Sequence, residues 1–166
     1  MKYEVSAEDI KRAKTPHEIF LINLVFNHVL LFVAFLTAQS LQFLLLIVPI
    51  FSVTVLTYTF YRARRSLKID PWFVKCHWQI CARRSLGFLT MLAIMLVVMV
   101  IVYLWSGGDL KPQHWALAGV GALPTMITVL VLIVMESDAM HQANQGMVSK
   151  TVAERYPEGA LEPIEE

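Results

Sequence analysis

Leu86 to Trp105 is a run of twenty residues without a charged side chain. A helix needs about 20 apolar residues to cross the hydrocarbon core of a bilayer. Lipid offers no partner to backbone N–H and C=O groups, so such a run is confined to a helix that satisfies them internally. Comparable apolar runs fill residues 16–38, 41–61 and 116–135. The expected fold is an all-α integral membrane protein, a four-helix transmembrane bundle with short amphipathic segments outside it. The chain is 57% hydrophobic and 16% charged, against about 45–50% and 25% in soluble domains. That excess sits in blocks, and 166 residues hold four spans and their connections without a separate soluble domain.

The expected division is a polar N-terminal segment (1–15), spans at 16–38 and 41–61, a basic loop with an interfacial helix (62–85), a third span (86–105), an external turn (106–115), a fourth span (116–135) and an acidic tail (136–166). Arg62 to Arg84 holds seven of the fourteen Lys and Arg residues and has net charge +6, whereas residues 136–166 sum to −5. With four spans, thirteen bases share one side and only Lys111 lies on the other. The positive-inside rule turns this asymmetry into both termini in the cytosol, and a bacterial inner membrane is the expected location. No signal peptide is read, because the first apolar run follows a polar stretch and lacks a small-residue cleavage site. On the cytosolic side, Cys76 and Cys81 are expected as reduced thiols. A net charge of +1 gives no ground for a nucleic-acid partner.

Thr15-Pro16-His17-Glu18 reads as the start of the first span: a cap, a proline at the first helical position, and a capping-box carboxylate. Ser6 with Glu8 and Asp9 reads as the start of a separate short surface helix. Pro49, inside the second run, predicts a kink whose freed backbone groups Ser52 and Thr54 can satisfy. Asp70-Pro71 resembles a further helix start. Tyr103, Trp105 and Trp115 suit the far interface as aromatic anchors. Met140, Ala143, Met147, Val148 and Val152 recur at helical spacing, so the fourth helix is expected to continue or restart beyond the membrane.

His28 is the one ionisable side chain deep in a span, which makes it the candidate site for a cofactor or a proton. Asn23 and Asn27 lie four apart on one face beside it. The favoured reading is a neutral histidine in helix packing, because no second histidine stands at matching depth for a haem. Ala118, Gly119, Gly121 and Ala122 permit close approach of a partner helix. His77 and Cys81, four apart, share a helix face, and Asp138 with His141 forms a second pair of potential metal ligands. Glu136, His17 and Glu18 fall on the same side of the membrane. Neither pair supplies four donors, so no metal and no cofactor is expected, and Asp138 and His141 read as a solvated helix end.

Arg62, Arg64, Arg65, Lys68, Lys75, Arg83 and Arg84, with Trp72, Phe73 and Trp78, read as a surface for lipid or a partner: the rings enter the headgroup level and the bases meet anionic lipid. The +6 loop and −5 tail are expected to dock electrostatically. No nucleophile elbow, phosphate loop or HExxH motif occurs. The functional expectation is a non-catalytic accessory, assembly or regulatory subunit, an immunity or inhibitor protein being one version, whose partners are the bilayer and other membrane proteins or further copies of itself. The alternatives are a small transporter or channel with His28 and the Pro49 kink on its path, and a haem- or metal-binding redox subunit.

Overall fold

The structure, a computed structural model, describes residues 1–38, 40, 44, 47–109, 111–157, 159 and 161–164. The side chains of Leu36, Trp115 and Ala118 lie outside the described set, so the anchor expected of Trp115 and the packing expected of Ala118 do too. The regular elements are helical: α1 (Ala7–Ile22), a π-helical stretch (Asn23–Leu31), α2 (Phe32–Thr37), α3 (Ile47–Ile69), α4 (Trp72–Trp105), α5 (Pro112–Asn144) and α6 (Lys150–Arg155). Three helices are long and apolar enough to cross a membrane: Ala7–Phe35, which joins α1 to the elements after it, α4 and α5. Part of the second expected span lies outside the described residues.

Helix α1 begins at Ser6, whose Oγ accepts the Asp9 N–H at 3.1 Å, with Glu8 and Asp9 placed to complement the helix dipole. Pro16 is therefore inside the helix and not at its start. The strong local cap at Ser6 and burial of Ala13, Pro16, His17 and Phe20 outweigh the one backbone bond that Pro16 forfeits. At α4 the expected Asp70 cap is also absent. Pro71 occupies the cap position without a side-chain bond, because the Asp70 carboxylate binds Arg12 and Arg62. Pro49 lies in α3 and faces outward; the residues just before Ile47, on which a kink there depends, lie outside the described set. Ser52 accepts from Asn23, and Thr54 returns to the carbonyl of Ile50.

Helices α4 and α5 are 34 and 33 residues long, about 50 Å each at the α-helical rise, and so exceed a hydrocarbon core of about 30 Å. The surplus collects at one end, where the start of α1, the end of α3, the start of α4 and the end of α5 meet. There Tyr3, Ala13, Ala63, Trp72, Phe73, Trp78, Ala143, Val148 and Val152 form one apolar core. Each large side chain fully buried there contributes about 1.5–3 kcal/mol. Trp72, Phe73 and Trp78 thus pack inside the protein and not among headgroups. The tail does dock on this region, but through apolar contact and hydrogen bonds: Trp72 Nε1 donates to the Tyr156 carbonyl at 2.6 Å, and Tyr156 Oη donates to Gln79. A second core, with Phe20, Leu24, Leu56, Phe88, Val129 and Leu132, continues among the apolar segments. Outward-facing Leu96, Ile101, Val120, Ile127 and Val134 are exposed.

The N-terminal segment closes the polar end through the Tyr3 N–H, which donates to the Gly146 carbonyl at 2.9 Å. Gly146 has φ +70°, and a Cβ there would stand 2.7 Å from the Tyr3 carbonyl oxygen. Gly146→Ala is expected to cost about 1–3 kcal/mol from left-handed strain and overpacking, with earliest hydrogen exchange at the Tyr3 amide; unchanged protection at Tyr3 would contradict this. Asp70 supplies a pH-dependent tie. Burial works against its charge, but the hydrogen bond and charge of Arg62, with the charge of Arg12, outweigh that and hold its pKa below the ordinary value of 3.8. A carboxyl with a depressed folded pKa contributes stability above its unfolded pKa and loses it as pH falls through the folded one. Asp70→Asn should cost about 2 kcal/mol at neutral pH, and unfolding curves of the two proteins should converge as pH falls below 3.8.

Candidate functional site

The charge-free part of α4 begins at Leu86, and the helix before it, with its neighbours, carries a buried polar chain. His17 from α1, His77 and Cys81 from α4, and Glu136 from α5 are each 0% exposed. His17 Nδ1 lies 2.5 Å from Glu136 Oε2, and His17 Nε2 lies 3.0 Å from His77 Nδ1. His77 Nε2 ends the chain 3.2 Å from the Met147 carbonyl. Arg84 approaches from the outer side, donating to Glu136 Oε1 at 3.2 Å and to the Met135 carbonyl at 2.8 Å. The Cys81 thiol donates to the Pro16 carbonyl at 3.3 Å.

The proton order along this chain follows from its last acceptor. A carbonyl only accepts, so His77 Nε2 carries a hydrogen. Burial, and then the neighbouring His17, push the His77 pKa down to about 3, so His77 is neutral and its Nδ1 accepts. His17 Nε2 must therefore donate. What remains is the Nδ1 of His17 facing a carboxyl oxygen of Glu136, and at that separation the two atoms share a hydrogen. Burial, and then the Glu136 charge, raise the Cys81 thiol well above its usual pKa, so it is a thiol and not an activated nucleophile. Burial likewise raises Cys76 to about 12. Both cysteines are free.

The structure gathers His77 and Cys81, paired on one face in the sequence, with His17 and Glu136. It leaves the other pair apart: Asp138 and His141 are exposed, bonded to Gln142 and Gln145 respectively. The signal for Glu136 was present, since it directly follows an apolar run and should lie flush with the bundle. His17 was hidden by reading Pro16 as a helix start, which put it in a solvated first turn.

His28 belongs to a second polar group, at the π-helical stretch. In an α-helix Asn23 and His28 would diverge by about 140°. In a π-helix the wider i→i+5 turn brings residue i+5 back towards the side of residue i, so Asn23, Asn27 and His28 all turn inward. Asn23 Nδ2 donates to Ser52 Oγ at 3.1 Å, Asn27 Nδ2 to the Val48 carbonyl at 2.9 Å, and His28 Nδ1 to the Asn23 carbonyl at 3.1 Å. The His28 ring meets Phe88 edge-on at 4.9 Å. Asn23 and Asn27 thus join the π-helical stretch to α3. Among the small residues of α5, Gly121 makes the close approach, since a Cβ there would stand 2.7 Å from Val98 Cγ1, while Gly119 faces open space.

Of the basic residues, Arg64, Arg65, Lys68 and Arg83 are exposed, Arg62 holds Asp70 and stacks over Trp78 at 4.9 Å, and Arg84 holds Glu136. No family model, no curated protein and no solved structure matches this chain.

Removing Glu136 leaves Arg84 and His17 without their shared acceptor inside the protein. Breaking a buried charged pair from one side costs about 3–5 kcal/mol, and Glu136→Ala should lose that much in reversible unfolding. Asp138→Ala, half a turn further on and exposed, should stay within about 0.5 kcal/mol of the parent. Equal effects of the two substitutions would show that the buried carboxylate has no special part in stability.

Proposed function

We propose that this chain is a non-catalytic accessory, assembly or regulatory subunit of a bacterial inner membrane, that it spans the membrane four times with both ends in the cytosol, and that it binds other membrane proteins. The orientation rests on the thirteen-to-one distribution of Lys and Arg between the two ends. The binding role rests on one observation. Three segments distant in sequence, the N-terminal residues, the α3–α4 junction and the tail, share an apolar core at the polar end of the helices. That core gives a short chain an ordered face outside the membrane, with Arg64, Arg65, Lys68 and Arg83 exposed on it. Bases at this level also suit anionic headgroups, each adding about 1 kcal/mol near the surface, which would hold the face close to the bilayer where a membrane partner is met.

The test is isolation of the tagged chain in mild detergent at native expression level, beside a variant carrying Arg64→Glu, Arg65→Glu and Lys68→Glu. One stoichiometric membrane protein is expected with the parent and none with the charge-reversed variant, both having the same thermal unfolding. Recovery of the parent as a lone monomer, or a partner indifferent to the three reversals, would count against the reading.

A further inference from the structure

His17, Cys81 and Glu136 offer nitrogen, sulfur and oxygen donors from three different helices, all buried and all within 4.8 Å of one another. We propose that these three side chains bind one divalent ion of the Zn(II) class at the junction of α1, α4 and α5.

The donor set fits that class. Thiolate and imidazole select zinc and its borderline neighbours over magnesium or calcium, and carboxylate is the third common zinc ligand. With metal–ligand bonds of about 2.0–2.3 Å, tetrahedral donors stand roughly 3.3–3.8 Å apart, so small side-chain rotations bring these atoms into place. His17 Nδ1 and Glu136 Oε2 already face each other, 2.5 Å apart across a hydrogen bond, so these two donors must separate by about 1 Å to admit the ion. A proton fills that place in the metal-free protein, and the metal replaces it.

The groups behind the donors are already arranged as metal sites need them. A ligating histidine usually gives its other N–H to an acceptor that fixes its tautomer, and His17 Nε2 has His77 Nδ1 at 3.0 Å, itself held by the Met147 carbonyl. Arg84 occupies Glu136 Oε1 and leaves Oε2 for the ion. On binding, Cys81 releases its thiol proton and the His17–Glu136 pair releases the proton it shares. Both protons pass to solvent, and the thiolate and carboxylate cancel the charge of the ion. The three side chains supply three of the four tetrahedral positions. The ion ties together three helices at the level where they leave the apolar region, a structural role that does not depend on the identity of any partner.

The full-length protein in detergent, stripped with chelator and then titrated with Zn(II) or Co(II) chloride alone, tests this. The expected result is one equivalent bound, with a near-ultraviolet thiolate-to-cobalt charge-transfer band. Cys81→Ala should weaken binding by more than about 100-fold, beyond the 10–100-fold typical for an outer partner, and Arg84→Gln by about 10–100-fold with the band retained. Cys76→Ala should change neither. Should Cys81→Ala fail to fold, the near-isosteric Cys81→Ser should fold and lose the band. Less than a tenth of an equivalent bound to folded parent protein, a cobalt complex without the thiolate band, or a band abolished by Cys76→Ala and kept by the Cys81 variants, would overturn the assignment.

Discussion

A carboxylate and an imidazole nitrogen 2.5 Å apart in a fully buried site are stable only with a proton shared between them and further hydrogen bonds around them. Taking such charges out of water costs several kcal/mol per ion, and good geometry with satisfied lone pairs is needed to recover it. Here Arg84 supplies the second carboxylate contact, His77 the second imidazole contact, and Met147 the terminal acceptor. The requirement fixes the relative positions of α1, α4 and α5 and the place where the tail leaves α5. It explains how three helices with largely exposed apolar faces acquire a defined mutual register.

The apolar layer beyond this pair depends on it. Helices of about 50 Å leave roughly 20 Å outside a hydrocarbon core, and bare helical ends of that length gain little stability by themselves. Here they are joined by water-driven burial, with Trp72, Phe73 and Trp78 in the centre and the Asp70 carboxylate tying α1 and α3 together through Arg12 and Arg62. Inside the apolar region the hydrophobic effect between helices is lost, and interhelical hydrogen bonds there average only about 0.6 kcal/mol. The polar end is therefore where this fold gains most of its specificity.

Three long apolar helices and the extension of the last of them were legible in the sequence because hydropathy and helical period act over many residues and average out local exceptions. What escaped depends on single residues judged locally. Pro16 and Asp70 each carry the signature of a helix start, yet Ser6 is the stronger cap and Asp70 has two arginines to bind. Trp72, Phe73 and Trp78 among bases look like a headgroup anchor, and only the return of the N-terminal segment and tail reveals that protein covers them. His77 and Cys81 share a helix face by their spacing of four, but the groups they meet, His17 and Glu136, lie 60 residues before and 59 after His77. No local pattern encodes that meeting.

The two buried polar groups differ in a way that follows depth. Where α1, α4 and α5 leave the apolar region, the group is ionic, and Arg84, one-fifth exposed at its side chain, reaches it from solvent. Further along the first helix only amides, hydroxyls and one imidazole occur. A full charge at that depth costs far more than a neutral hydrogen-bonding group. Neutral groups are short-ranged, however, and to face inward together, two of them towards α3 and the His28 ring against Phe88 of α4, they must share one side of the helix. An α-helix puts His28 off that face, and the widened π-helical turn returns it, with the backbone carbonyl of Asn23 serving as the ring's acceptor. The irregular backbone at Asn23–Leu31 is thus the cost of placing three neutral polar side chains together where a single ion pair would be prohibitive.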